Sequence, residues 1–165
     1  MSEAIRCDNL TIGYGTHVVQ SALMFSLNEG EMVCMLGPNG CGKSTLLRTL
    51  AGLQPPLGGT YRLLGVSSEK AGESSAERAK HLALVLTERL SLEHTTVHDV
   101  VAMGRYPYSS FLGGLPADDE AVIADALQQV GLQDMADTYF NNHSDGEKQR
   151  ILIAKALAQQ TPVIL

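Results

Sequence analysis

The sequence lacks an apolar run long enough to cross a membrane, and it has few cysteines. Its longest apolar runs are far shorter than the roughly 18 residues that a membrane span needs. Residues 1–4 show neither the basic start nor the apolar core of a signal peptide. Cys7, Cys34 and Cys41 are odd in number and have no metal-type spacing, which is typical of free thiols in a reducing compartment. These absences predict a cytosolic protein.

Basic residues are in the minority. The chain carries 12 Lys and Arg against 18 Asp and Glu, a net charge of −6, which argues against general affinity for nucleic acid. Its 165 residues are 44% hydrophobic and 18% charged, and they contain no internal repeat or low-complexity segment. These values predict one globular domain with a sizeable core and no nucleic-acid partner.

A glycine-rich segment directly follows an apolar one. Residues 37–45 read G-P-N-G-C-G-K-S-T, which fits the P-loop pattern G-x-x-x-x-G-K-[ST], between the apolar residues 32–36 and 46–47. Glycines let such a loop curl until its backbone N–H groups converge on one anion, and the following helix points its positive end at the same place. The alternative is an ordinary glycine-rich turn. The strand-loop-helix context favours a site for a nucleoside phosphate.

Each residue type in this loop has its own task in phosphate chemistry. The Lys43 ammonium is predicted to reach the β- and γ-phosphate oxygens, and the Ser44 hydroxyl is predicted to bind Mg²⁺. The predicted ligands of the loop are therefore a nucleoside phosphate and Mg²⁺. The predicted nucleotide-binding residues of the loop are Gly37, Asn39, Gly40, Cys41, Gly42, Lys43, Ser44 and Thr45.

Hydrophobic periodicity and turn residues predict a chain of alternating strands and helices. The predicted strands are residues 5–14, 18–27, 32–36, 60–66 and 81–86, with the start of a further strand at residues 162–165. The predicted helices run from Lys43 to near Gly52, over residues 76–80, from Thr95 or Thr96 to Met103, and over residues 116–130 and 145–159.

A second motif precedes the last predicted helix. Residues 144–150 read S-D-G-E-K-Q-R, and Ser144 and Glu147 match the capping box S-x-x-E. One interpretation is that Ser144 only closes a helix N-terminus. With the P-loop about a hundred residues upstream, however, the segment resembles the signature L-S-G-G-Q-x-Q-R of ABC transporter ATPases. This resemblance covers essentially the whole chain.

The resemblance implies an α/β P-loop NTPase fold with an antiparallel β edge and a helical subdomain, incomplete at the C-terminus. The expected parts are residues 1–88 as the P-loop and β core, 89–143 as the helical subdomain, and 144–165 as the signature helix and the start of the Walker B strand. The family's catalytic aspartate and glutamate follow such a strand. No catalytic residue is therefore predicted within these 165 residues.

The resemblance also assigns roles outside the P-loop. It implies that Tyr14 stacks on adenine, and that the signature residues contact the ATP of a partner subunit: Ser144, Asp145, Gly146 and Glu147. Glu88 stands where the family has a glutamine that contacts Mg²⁺ and the membrane subunit; the alternative is a solvated loop glutamate.

The signature departs from the family pattern. His143 replaces leucine, Asp145 replaces a glycine, and Glu147 replaces glutamine. Two extra carboxylates near a γ-phosphate repel it unless they are turned away.

A narrower resemblance concerns residues 97–108, which are most similar to the ATPases of importers for iron-siderophore complexes, haem and cobalamin. The element Gly104-Arg105-x-Pro107 carries this similarity; the alternative is that Gly104 and Pro107 only break a helix. His94 and His98 stand four residues apart, but a helix that starts near Thr96 leaves His94 outside it. No metal site is predicted there.

Together these resemblances imply the ATP-binding subunit of an importer, peripheral on the cytoplasmic face of the cell membrane. The implied partners are integral membrane permease subunits and a second ATPase subunit in a head-to-tail dimer. One alternative is a truncated module that binds nucleotide or a partner without hydrolysis. Another is a different P-loop NTPase or kinase, which Tyr14 and the signature-like segment disfavour.

Overall fold

A computed structural model describes residues 2–69, 75–85, 92–109 and 118–165 of the protein. The chain divides into two compact units. Residues 1–74 with Leu165 form the N-terminal unit, and residues 75–164 form the C-terminal unit. Within the described ranges, no helix has both the length and the apolar character that a membrane crossing requires.

The described residues of the N-terminal unit form four strands and one helix. In chain order these are β1 Glu3–Tyr14, β2 His17–Asn28, α1 Lys43–Leu50, β3 Gly58–Leu63 and β4 Val66–Ser67. The strands form one antiparallel sheet in the order β2-β1-β3-β4. The predicted strands 5–14 and 18–27 and the helix from Lys43 are confirmed.

Strand β1 supplies much of the core of this unit. It pairs on both sides, and the side chains of Cys7, Leu10 and Ile12 are at most 2% exposed. Asn9 has a φ of 51° where the register between β1 and β2 shifts, which is the geometry of a β-bulge. Burial raises the pKa of the Cys7 thiol to about 12. Cys7 is therefore a packing residue and not a reactive thiol.

The predicted strand over residues 60–66 is wrong at its end. Leu64 and Gly65 have φ values of 48° and 79°, and they form the turn between β3 and β4. Two consecutive residues with positive φ match the right-handed twist of a tight antiparallel hairpin. The apolar sequence hid this turn, because leucine is an unusual residue in a left-handed position.

The apolar residues 32–36 do not form the predicted buried strand. They pair with no strand of the described residues, and Met32 and Leu36 are 100% and 87% exposed. A buried parallel strand needs hydrogen-bonded neighbours at its edges and layers on both faces. The apolar pattern indicates that a segment can be buried, but it does not show whether neighbouring strands are present to pair with that segment. The prediction of a strand here is therefore wrong for the described chain.

The C-terminal unit is built from helices around one apolar core, with a small parallel sheet. Val101, Ile123 and Ile151, from three different helices, are completely buried in this core. Its described residues include 3₁₀ turns at Met103–Tyr108, Gln133–Met135 and Phe140–Asn142. The other elements are α2 Ser75–Arg78, β5 Leu82–Ala83, α3 Val97–Ala102, α4 Asp119–Gln129, α5 Asp145–Ala158 and β6 Val163–Ile164.

The starts of the helices follow the sequence signals closely. Thr96 caps α3, because its hydroxyl accepts from the Asp99 N–H at 3.1 Å while the Asp99 carboxylate accepts from the Thr96 N–H at 3.0 Å. These hydrogen bonds lower the pKa of Asp99. His94 lies before the cap and outside the helix, as predicted. The predicted helix over residues 145–159 is confirmed as α5, and the one over residues 116–130 is confirmed as α4 except at residues 116 and 117, which lie outside the described ranges.

The predicted strand over residues 81–86 is mostly wrong. Only Leu82 and Ala83 pair, in parallel, with the strand β6 that the sequence predicts near its end. His81 belongs to the turn after α2, because its N–H donates to the Arg78 carbonyl at 2.9 Å. Leu86 lies outside the described residues. The apolar run in the sequence is again longer than the segment that pairs as a strand.

Gly104 and Arg105 join the turn after α3 to the end of α5. A Cβ atom on Gly104 would overlap the carbonyl oxygen of Lys155, so a residue without a side chain allows this close approach. The buried Arg105 guanidinium donates from Nε to Asp119 Oδ1 at 2.9 Å and from Nη1 to the Ala158 carbonyl at 2.8 Å. The Gly-Arg-x-Pro element therefore fastens the end of α5 to the start of α4, and Gly104 does more than break a helix.

We expect the substitution Arg105→Met to lower the free energy of unfolding by about 3–5 kcal/mol, the usual cost of leaving a buried charge without its partner. Asp119 is 2% exposed, and among the described groups its second carboxylate oxygen has no hydrogen-bond partner. Removal of Arg105 leaves that carboxylate buried and uncompensated. Denaturant unfolding followed by circular dichroism measures the loss.

Arg6 provides the matched control. It makes the same Nε–Oδ1 contact of 2.9 Å with Asp8, but its side chain is 48% exposed. Solvent screens an exposed ion pair, so we expect Arg6→Met to be close to neutral. Equal losses of stability in the two variants would show that burial does not set the contribution of these ion pairs.

Candidate functional site

The loop before α1 is shaped by glycines in left-handed conformations. Gly40 and Gly42 have φ values of 82° and 101°, which other residues adopt at a cost. Gly42 is the N-cap of α1, and its carbonyl accepts the N–H of Leu46 at 2.8 Å. No side chain caps this helix. The first-turn N–H groups of α1 therefore remain available for an anion, where the helix dipole favours negative charge.

Lys43 holds its ammonium group against the same loop. Its Nζ donates to the carbonyl oxygens of Gly37 at 2.7 Å and Pro38 at 2.8 Å, and it lies 3.8 Å from Cys41 Sγ. A full positive charge is thus already in place beside the open helix start. An anion that enters the loop can exchange these carbonyl contacts for stronger charge-assisted ones.

The two hydroxyl residues that follow differ in burial. Ser44 is exposed at the first turn of α1, whereas Thr45 is 6% exposed. Thr45 Oγ1 lies 3.1 Å from the Tyr14 hydroxyl, and its backbone carbonyl accepts from Thr49 Oγ1 at 2.8 Å. Ser44 is therefore the hydroxyl that can reach a ligand of the loop. Asn39 is exposed in the loop.

Tyr14 lies next to the loop at the end of β1. Its ring is half exposed, and its hydroxyl is fixed by Thr45. This hydrogen bond, with a smaller contribution from Arg48, lowers the pKa of the Tyr14 phenol. The structure thus brings Tyr14 together with residues 37–45, as the sequence predicts for one site. The exposed ring offers an apolar face on which a flat base can stack.

Strand β2 also contacts the loop, and no sequence pattern predicted this contact. Gln20 Nε2 donates to the Cys41 carbonyl at 3.0 Å. A Cβ atom on Gly42 would lie 2.8 Å from Val19 Cγ1. Glycine at this position therefore serves close packing on β2 as well as the positive φ.

The signature-like segment forms the predicted capping box at the start of α5. The Ser144 N–H and hydroxyl donate to Glu147 Oε2 at 2.9 and 2.7 Å, and the Glu147 N–H donates to Ser144 Oγ at 3.3 Å. Asp145 and Gly146 are exposed in the first turn. The carboxylate of Glu147 is therefore turned back onto Ser144 and does not point freely into solvent.

His143 lies beside this cap. The Thr138 hydroxyl donates to the Met135 carbonyl at 2.6 Å, so it accepts from His143 Nε2 at 2.7 Å. Nε2 therefore carries a proton, and Nδ1 of the same ring lies 3.7 Å from Glu147 Oε2. The hydrogen bonds from Ser144, and then the nearby positive groups, lower the pKa of Glu147.

One further predicted site residue, Glu88, lies outside the described residues. His98 Nε2 contacts Glu120 at 3.0 Å on the surface. In the described part of the chain, no three His, Cys, Asp or Glu residues are grouped so that they could hold a metal ion. The P-loop belongs to the N-terminal unit and Ser144 to the C-terminal unit.

Comparisons with known sequences all match this chain to one family. A family model described as "ABC transporter" matches residues 21–165. The ferric enterobactin transport ATP-binding protein FepC of Escherichia coli is 36% identical over 98% of this chain and 59% of its own length. The achromobactin transport ATP-binding protein CbrD of Dickeya dadantii is 38% identical over 98% of this chain and 60% of its own length. The chain thus spans less than two thirds of these relatives.

A third relative, the cobalamin import ATP-binding protein BtuD of Halobacterium salinarum, is 39% identical over 85% of this chain and 34% of its own length. Among solved structures, an ABC transporter in an inward-facing conformation matches 97% of this chain and 57% of its own, with a TM-score of 0.79 and 31% identity. A nucleotide-free ATP-binding cassette matches 98% of this chain and 67% of its own, with a TM-score of 0.82 and 21% identity. The predicted P-loop NTPase fold is confirmed.

The capping box predicts how the stability of α5 depends on pH. The folded-state pKa of Glu147 is lowered, so its contribution is present at neutral pH and is lost as the pH falls through that lowered value. We expect Glu147→Gln to unfold at a lower temperature than wild type at pH 7, and we expect the difference to shrink in acid. Thermal unfolding of both proteins over a pH series measures this.

Glu29→Gln is the control, because Glu29 is an exposed turn residue away from any helix start. It should leave the difference from wild type small at every pH. A Glu147→Gln difference that stays constant down to acidic pH contradicts a role for the charged carboxylate in the cap.

Proposed function

Because the chain belongs to the ABC transporter family, we propose that it is the ATP-binding subunit of an importer, or the N-terminal part of one. The observation that carries the proposal is the glycine loop, which leads into an uncapped helix with the Lys43 ammonium held against it. Such a site binds the polyphosphate of a nucleotide through backbone amides and one fixed positive charge. Hydrolysis of ATP would drive uptake across the membrane.

Each loop residue has a defined part in this proposal. The amides of Gly40, Cys41, Gly42 and Lys43 would surround the phosphates, and the Lys43 ammonium would move from the loop carbonyls to the β- and γ-phosphate oxygens. Tyr14, with its ring half exposed and its hydroxyl fixed by Thr45, would stack on adenine. The chain's own contribution is therefore binding and orientation of the nucleotide.

Mg²⁺ fits the proposed site through Ser44. Its hydroxyl is exposed at the first turn of α1, next to the position where the phosphates would lie. Hydroxyl and phosphate oxygens are hard ligands of the kind that Mg²⁺ prefers. The metal would neutralise charge on the phosphates. We propose Glu88 as a further ligand, directly or through water.

The start of α5 is proposed to meet the ATP of a second subunit in a head-to-tail dimer. Ser144, Asp145 and Gly146 are exposed there, as such a contact requires. Permease subunits in the membrane would bind this dimer at the cytoplasmic face of the membrane. ATP can drive this cycle only through a difference in its affinity for the open and closed dimers. Removing Ser144 is therefore expected to weaken coupling before it weakens simple binding.

The proposed cargo is an iron chelate, haem or cobalamin. The names of the relatives support this class, because they specify ferric enterobactin, achromobactin and cobalamin. Uptake assays with a matched permease would identify the cargo.

We also propose that the chain divides into a core of residues 1–88, a helical subdomain of residues 89–143 and a signature helix with its following strand at residues 144–165.

A second candidate is a module that binds nucleotide without hydrolysing it. ATP binding with no release of phosphate by the 165-residue chain would support this candidate. Turnover by the same chain would exclude it.

Lys43→Ala tests the site most directly. A charge pair near 4 Å contributes on the order of 4 kcal/mol at an intermediate dielectric, against about 1 kcal/mol for one neutral contact. We therefore expect the variant to bind ATP-Mg²⁺ roughly two to three orders of magnitude more weakly, since each 1.4 kcal/mol is tenfold. Titration calorimetry measures the affinity.

Lys80→Ala removes an exposed lysine paired with Glu77 and is the control. Equal affinity in wild type and Lys43→Ala contradicts the proposal.

Alkylation of Cys41 gives a second test. Cys41 lies inside the loop, so bound ATP-Mg²⁺ should block its reaction with a thiol reagent. The chain supplies two internal controls: Cys34 is exposed and should react with or without nucleotide, whereas the buried Cys7 should react in neither case. Peptide mass spectrometry follows each site separately. Equal labelling of Cys41 with and without ATP-Mg²⁺ contradicts binding in this loop.

A further inference from the structure

A side chain of the β-sheet holds one peptide of the phosphate loop. Gln20, on strand β2, donates from Nε2 to the carbonyl oxygen of Cys41 at 3.0 Å. The contact crosses 21 positions in sequence, so it ties the loop to the sheet and not to itself. The carbonyls of Gly37 and Pro38, at the start of the loop, are held by Lys43 instead.

Peptide geometry turns this contact into a constraint on a donor. The carbonyl of Cys41 and the N–H of Gly42 belong to the same planar trans peptide, so they point in opposite directions. A carbonyl fixed toward β2 therefore directs the Gly42 N–H away from β2. Gly42 stands immediately before the uncapped first turn of α1. Its N–H is thus next in the chain to the amides that the helix leaves without partners.

The loop needs such an external contact at this point. Gly42 has a φ of 101° and no side chain, so little in its own backbone prevents this peptide from rotating. The neighbouring surface of β2 is already close, because a Cβ atom on Gly42 would lie 2.8 Å from Val19 Cγ1 and 3.3 Å from Gln20 Cγ. The same strand therefore supplies both a packing surface and a hydrogen-bond donor.

We propose that Gln20 is a positioning residue for the anion site, which keeps the Gly42 N–H directed toward the bound phosphates. This role rests on the proposed binding of ATP. Gln20 does not touch the ligand itself. It lowers the cost of organising the loop before the ligand arrives, which is the general advantage of a preorganised site.

The test is Gln20→Met, which keeps the length of the side chain and removes the donor. We expect ATP-Mg²⁺ to bind about fivefold more weakly by titration calorimetry, the effect of losing one neutral hydrogen bond. The melting temperature of Gln20→Met should equal that of the control Ser21→Ala, which changes an exposed residue on the same strand. Gln20→Glu, with a carboxylate facing a carbonyl, should weaken binding further, because it cannot donate and it adds negative charge near the phosphates.

A second readout does not depend on ATP. The amide resonance of Gly42 in a ¹H–¹⁵N spectrum should shift in Gln20→Met without nucleotide, because the peptide loses the donor to its carbonyl. An unchanged Gly42 resonance overturns the contact. A shifted resonance with wild-type ATP affinity overturns the positioning role. If wild type itself fails to bind ATP, the proposed function fails, and the Gly42 resonance still decides whether Gln20 holds the loop.

Discussion

The first turn of every α-helix leaves N–H groups without partners inside the helix, and this chain meets that constraint in two opposite ways. At α3 and α5 a side chain supplies the partner: Thr96 with Asp99, and Ser144 with Glu147. At α1 the N-cap is Gly42, which has no side chain to offer. Side chains therefore cap the starts of α3 and α5, whereas α1 and α4 begin without a side-chain cap. The start of α1 also adjoins a lysine ammonium and an exposed hydroxyl, and the proposed chemistry depends on that combination.

The sequence predicted the parts of the molecule that local chemistry controls. The sequence offered Thr95 or Thr96 as the cap of α3 and Ser144 with Glu147 as a capping box at α5, and the structure has Thr96 and Ser144 as the caps. A side-chain oxygen near the start of a helix satisfies the same N–H groups wherever the helix packs. Long amphipathic helices were also predicted, since their apolar stripe covers many turns. The approach of Tyr14 to the P-loop followed from a family resemblance, not from local pattern.

The features that the sequence did not reveal depend on contacts between distant residues. Residues 32–36 have the composition of a buried strand, but pairing requires a partner that composition cannot supply. Leu64 adopts a left-handed turn that its side chain disfavours. Gln20 and Arg105 bond to carbonyls 21 and 53 positions away, and nothing in their neighbouring residues marks them. A pattern of side-chain types cannot predict hydrogen bonds whose acceptors are backbone carbonyls of distant residues.

The closed start of α5 limits how a signature helix can take part in nucleotide binding. Ser144 gives both its N–H and its hydroxyl to Glu147, so the proposed contact with a partner's phosphate requires those donors to be exchanged. A serine cap contributes about 1 kcal/mol in general, and an anion at a partly buried helix N-terminus contributes up to about 2 kcal/mol. A phosphate in the proposed contact would therefore compete with the Glu147 carboxylate, which is turned back onto Ser144. At the other end of α5, the Arg105 guanidinium donates to the Ala158 carbonyl.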